Sequence, residues 1–166
     1  MNQAHGPMAS LADDEMLNNA LARVFAPWVR ELDLRSIEAR AGEVTLALPV
    51  TSRHVHEGGV LCGQTMMAAA DTAMVLAVMT RLGGFKPMTT VQLQTSFLRQ
   101  VAGTSGTARV VARVLRMGRA SSSAKCRCST PTTNSRRTPP PPARSFECGL
   151  EGARQGLAGA AGPRCR

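Results

Sequence analysis

With 166 residues, the chain is long enough for one domain with a real core and too short for two comfortable ones. Its formal net charge is +9, yet residues 1–120 carry 12 Lys and Arg against 9 Asp and Glu, while residues 121–166 carry 8 against 2. The basic character therefore belongs to the tail, which argues against reading the whole domain as a nucleic-acid binder.

The opening stretch, Met1 to Leu11, has no apolar run of the kind a secretory signal needs. The expectation is a cytoplasmic protein whose cysteines are reduced thiols and not a disulfide framework. Residues 1–12 are small and polar and are expected to be disordered. From Asp13 a helix is expected. Asp13, Asp14 and Glu15 suit the positive end of its dipole, and Met16, Leu17, Ala20, Leu21, Val24 and Phe25 form an apolar stripe. Pro27 ends or kinks it. After a polar connection, Glu43 to Val50 alternates with Val44, Leu46, Leu48 and Val50 on one face, which predicts a half-buried strand.

Residues 51–63 read as a loop with His54, His56, Glu57 and a Gly58-Gly59 pair. Gln64 to Leu82 then predicts a long helix that is apolar on every face, with Asp71 in its middle. A membrane span with that charge at its centre would cost about 2.5–3.5 kcal/mol, so the expected setting is a helix wrapped by sheet, with no membrane partner. Gly83-Gly84 and Pro87 stop this helix. Thr89 to Leu98 alternates again, with Val91, Leu93, Thr95 and Phe97 opposite Thr90, Gln92, Gln94 and Ser96. Gly103 to Gly106 reads as a turn and Thr107 to Leu115 as a Val-rich strand. The domain is expected over residues 13–120.

From Ser121 the pattern gives way to Ser, Thr, Arg, Pro and Gly. Arg outnumbers Lys 18 to 2, the mark of a GC-rich gene. With GC-rich codons, the stretch from Ser121 to Pro142 re-read one base out of frame becomes an apolar strand-like run, an acidic turn and a second run with strand potential. The expectation for residues 121–166 is therefore a basic Pro/Gly/Arg-rich tail that is disordered or out of frame, leaving the last strands missing.

Asp71 is the leading chemical candidate, because a carboxylate inside an apolar helix is costly unless paired, protonated or functional. Its structural alternative is an ion pair with Arg109 or Arg113 from a covering strand. On the helix, Asp71 shares a face with Gln64, Met67, Ala68, Met74 and Val75, an apolar groove with an amide at one end. Cys62-Gly63 lies where that helix begins, and unpaired N–H groups there can hold a developing oxyanion. His54 and His56 have H-x-H spacing without a third ligand, and Cys126-Arg-Cys128 has no second pair, so no metal is expected.

The run Gly59-Val-Leu-Cys-Gly-Gln-Thr-Met-Met-Ala-Ala-Ala-Asp71-Thr-Ala resembles the signature of PaaI-like hotdog-fold acyl-CoA thioesterases, G-x-L-H-G-G, six residues, then D-T-A. Thr90-Val-Gln-Leu-Gln-Thr-Ser-Phe-Leu-Arg99 is similar to that family's T-V-x-L-x-x-x-F-L-R-P strand, and Val114-Leu-Arg-Met-Gly-Arg119 to its V-x-R-x-G-R segment. The chain departs from the pattern at Cys62, where His is usual, at Gln64, where Gly is usual, and at Gln100, where Pro is usual.

The resemblance implies an α+β hotdog fold, a long central helix wrapped by an antiparallel sheet, and hydrolysis of a small, aromatic or medium-chain acyl-CoA without a cofactor. It implies Asp71 as general base or nucleophile, the Gly63 N–H on the thioester oxygen, and Thr90, from the partner subunit, orienting water. His56, Cys62, Gln64, Met67, Met74 and Arg99 are the implied substrate contacts, with Arg116 and Arg119 as further candidates for the CoA phosphates. A homodimer or homotetramer follows, because such sites lie between subunits. The competing readings are an acyl-binding hotdog module without catalysis, a thioesterase disabled by the frame displacement, and an inert domain bearing a basic interaction arm.

Overall fold

The computed structural model describes residues 11–118, 121–130 and 146–155. Expectations for residues 1–10, for 131–145 and for 156–166 lie outside the described residues, as does Arg119. Helix α1 spans Leu11–Arg23, and Pro27 opens a short helix α2, Pro27–Arg30, as its fixed φ allows at a first helical position. Strands β1 (Arg35–Arg40) and β2 (Glu43–Pro49) form a hairpin. A 3-10 turn at Ser52–His54 leads to helix α3, Gly63–Leu82, and then come β3 (Met88–Ser96) and β4 (Thr107–Met117). Strands β5 (Ser122–Ser129) and β6 (Phe146–Gln155) complete a six-stranded antiparallel sheet ordered β1-β2-β4-β5-β6-β3.

The hotdog architecture expected from the sequence is the one observed. Alanine, methionine and leucine favour a helix at α3, and Gly83, at φ 70°, supplies the left-handed cap that ends it. Met66, Ala69, Ala70, Ala73, Met74, Leu76, Ala77 and Met79 are buried along α3, against inward side chains of β2 (Val44, Leu46, Leu48) and β4 (Ala108, Val110, Ala112). Truncating Leu46, which is fully buried, to alanine is expected to cost about 2–5 kcal/mol, since both a large side chain and its packing partners lose contact. A chemical denaturation curve of L46A reads this directly.

The missing-strand expectation needs correcting. The residues as they stand form β5, with Ser122, Ala124, Cys126 and Cys128 turned inward and buried, and Ser123, Lys125 and Arg127 alternating with them. Small side chains carry little hydropathy, so the period-2 pattern was invisible as an apolar run. Pairing of β5 with β4 over Arg109–Met117 supplies the backbone hydrogen bonds. Burial pushes the Cys128 thiol up to about 11, so it is an inert, protonated packing group at neutral pH. The hairpin strand β1 likewise reads as a polar connection in the sequence, because its side chains are mostly exposed.

Arg109 and Arg113 do not reach the helix carboxylate. Arg109 pairs with Glu38 at 3.4 Å, and Arg113 shares Glu43 with Arg40 on the outer surface. Burial disfavours the Glu43 carboxylate, but the two guanidinium groups more than offset this and hold it below the usual carboxylate range.

Candidate active site

Asp71 sits at the middle of α3, half-buried, on the side of the helix approached by β3. The Thr90 hydroxyl of the same chain donates to Asp71 Oδ1 at 2.6 Å. This corrects the expectation that Thr90 reaches the carboxylate from a partner subunit. Strand β3 runs in unbroken register with β6, so its side chains alternate as expected. Burial along it is uneven: Thr90, Leu93 and Thr95 are half-buried, whereas Val91 and Gln92 are both exposed. With Arg109 and Arg113 engaged elsewhere, the partner of Asp71 among the described residues is a neutral hydroxyl, which orients the carboxylate.

The other end of the candidate site is the start of α3. Cys62 is the N-cap residue in an extended conformation, and the first helical bond runs from Met66 N–H to Cys62 C=O at 3.2 Å. The N–H groups of Gly63, Gln64 and Thr65 precede that bond and stand at the positive end of a 20-residue helix. Cys62 Sγ lies 2.8 Å from Thr65 Oγ1, so the thiol is tied to its own helix turn. The preceding segment is held firmly. Leu61 N–H donates to Val101 C=O at 2.8 Å, Cys62 N–H to His54 C=O at 2.9 Å, and the buried His54 ring is bonded through Nδ1 to Pro49 C=O at 2.8 Å.

Gly63 has a reason to be glycine that the sequence reading did not contain. A Cβ there would lie 3.0 Å from Phe97 Cζ, so the phenyl ring covers the first residue of α3. The spacing of the two motifs, one ending at Phe97 and the other beginning near Gly63, was the available signal, but only the fold brings them together. His56 is exposed, and its Nδ1 accepts the Gly58 N–H at 3.0 Å.

The remaining expected contacts divide cleanly. Gln64 and Met67 are exposed, and Cys62 is half-buried at the helix start. Met74 is fully buried in the core, so it cannot touch a substrate in this arrangement; the side of α3 that carries it faces the sheet. Arg99 and Arg116 are exposed. His54 and His56 face different partners, and the described residues contain no cluster of three His, Cys, Asp or Glu able to hold a metal ion.

Residues 58–134 match the Thioesterase superfamily, a span that takes in all three motifs and β5. Among solved structures, the chain is similar to a conserved protein of Pseudomonas aeruginosa, with 24% identity and a TM-score of 0.63 over 81% of this chain and 98% of that one. It is similar to the PaaI protein of the Escherichia coli phenylacetic acid degradation operon, with 14% identity and a TM-score of 0.66 over 87% and 94%. It also resembles zebra fish thioesterase superfamily member 2, with 18% identity and a TM-score of 0.67 over 85% and 94%. At these identities the structural likeness speaks for the fold. No curated protein gives a significant sequence match.

Proposed function

From the premise of a hotdog fold and a thioesterase-superfamily segment, we propose that the protein is an acyl-CoA thioesterase in which Asp71 drives hydrolysis. The observation that carries this reading is the 2.6 Å hydrogen bond from Thr90 to Asp71 Oδ1. A half-buried carboxylate with one oxygen held by a hydroxyl presents its other oxygen to water or to a thioester carbon. In this reading the Gly63 N–H and the α3 dipole polarise the thioester carbonyl, and Asp71 acts as general base or as nucleophile. Water completes the hydrolysis, releasing a carboxylic acid and the CoA thiol.

The two halves of this machinery cannot come from one helix. Gly63 and Asp71 are eight residues apart on α3, and at 1.5 Å per residue that is about 12 Å along the axis. A carbonyl group is far too small to span it. The proposed site is therefore composite, with Gly63 of one copy facing Asp71 and Thr90 of another, in a homodimer or a pair of such dimers. Strand β3 favours this assembly: it lies at the edge of the sheet, it exposes Val91 (58%), and Phe97 (50%) and Leu98 (55%), which directly follow it, are exposed as well. The assembly is placed in the cytoplasm, with neither nucleic acid nor membrane as partner.

The substrate class is a small, aromatic or medium-chain acyl-CoA. Gln64 and Met67 in the first turns of α3 and His56 in the loop before it are the proposed acyl contacts, with Cys62 at the helix start, and Arg99 the proposed contact for CoA phosphates. The test is release of free CoA thiol from phenylacetyl-, benzoyl-, butyryl- and octanoyl-CoA by the purified chain. Thr90→Val is expected to lower kcat roughly tenfold with KM nearly unchanged, the value of one charge-assisted hydrogen bond. No thiol release from any of the four would overturn the hydrolase reading.

A further inference from the structure

Strands β5 and β6 pair in antiparallel register with Cys126 directly opposite Cys148. Residues directly opposed in such a pair lie on the same face, with Cα atoms about 4.5 or 5.5 Å apart, and both separations fall inside the Cα window of a disulfide. Neither cysteine takes part in the proposed chemistry. Cys126 is fully buried on the helix-facing side, and Cys128, two residues further on the same strand, stands opposite Phe146. Among the described residues, the register thus singles out this pair of cysteines.

We propose that Cys126 and Cys148 form an oxidative modification site, a cross-strand pair that a disulfide oxidant such as glutathione disulfide converts to an intramolecular disulfide. The steps balance without a further reactant. One cysteine thiolate attacks glutathione disulfide and forms a mixed disulfide, releasing one glutathione. The second cysteine displaces the other glutathione, and two protons pass to the two glutathione thiolates. Because Cys126 is buried, the first attack awaits local opening of the β5–β6 pair, so oxidation is slow and its rate reads that opening.

Placement gives the bond a consequence. It would close a loop over residues 127–147, and β6 is the strand that joins β5 to β3. Strand β3 carries Thr90, the residue bonded to Asp71. The oxidised pair would staple the strand supporting that edge of the sheet.

The experiment incubates the fully reduced, full-length protein with glutathione disulfide, alkylates the remaining thiols, and maps a non-reduced digest by mass spectrometry. The expected result is one dominant cross-link between the peptides of Cys126 and Cys148, with Cys62 and Cys128 alkylated. Oxidation should raise Tm on the order of 5–10 °C, because the cross-link restricts the unfolded chain. C148S should abolish both the cross-link and the Tm difference between oxidised and reduced protein, whereas C128S should keep both. A dominant cross-link to any other cysteine, or full alkylation of all five after prolonged oxidation, overturns the proposal. Retention of the Cys126 cross-link in C128S separates loss of a specific pair from general damage to the strand.

Discussion

Replacing Asp71 with asparagine is expected to lower kcat by about 10²–10⁴, the usual worth of a positioned general base, with a larger loss if Asp71 is the nucleophile. Asparagine preserves the shape and can still accept the Thr90 hydroxyl bond, so the fold should survive. Steady-state thiol release, beside a thermal melt of the same sample, separates lost chemistry from lost structure. Single-turnover kinetics then divides the roles: a covalent intermediate requires Asp71 as nucleophile, and its absence leaves the general base. The variant also separates hydrolase from binder. A hydrolase retains acyl-CoA affinity in D71N while turnover collapses. A binding module shows the same affinity in both proteins and no turnover in either.

The second large effect comes from mixing inactive variants. A bulky residue at Gly63, such as valine, meets the Phe97 ring and disrupts the α3 start, so G63V should lose about 10² or more in kcat/KM, as expected when an oxyanion donor is displaced. Co-refolded with D71N, however, it should recover roughly a quarter of wild-type activity. Half of the randomly mixed dimers are heterodimers, and each of those contains one site built from an intact Gly63 and an intact Asp71. If one chain supplied both groups, every chain in the mixture would be defective and the mixture would stay inactive. The prediction follows from the helical separation of about 12 Å between the two residues. Recovery below a few per cent, in a mixture shown to exchange subunits, would reject the composite site.

Much of the architecture was legible before any coordinates. The all-round apolar α3, its Gly83 stop and the alternation of β2 and β4 have strong periods and strong hydropathy, and each stands close to its expected bounds. Asp71 was conspicuous because a charge in such a helix is rare. Strands β1 and β5 were harder. One is mostly exposed and the other buries only Ser, Ala and Cys, so neither produces an apolar signal above its surroundings. Their existence depends on hydrogen bonding to neighbours already in place, which a local pattern does not contain.

The candidate site shows the same division more sharply. Sequence alone determined that a carboxylate would sit in the middle of a buried helix and that a glycine would begin it, because both are properties of one segment. It could not determine that Thr90 bonds Asp71 within the chain, that Phe97 covers Gly63, or that Met74 faces the core, away from substrate. Those relations join residues distant in the chain, and they depend on where β3 lies against α3 at the sheet edge and on which side of α3 meets the sheet. Periodicity fixes a side chain's angle about its own helix or strand; only packing between elements decides what that side chain touches.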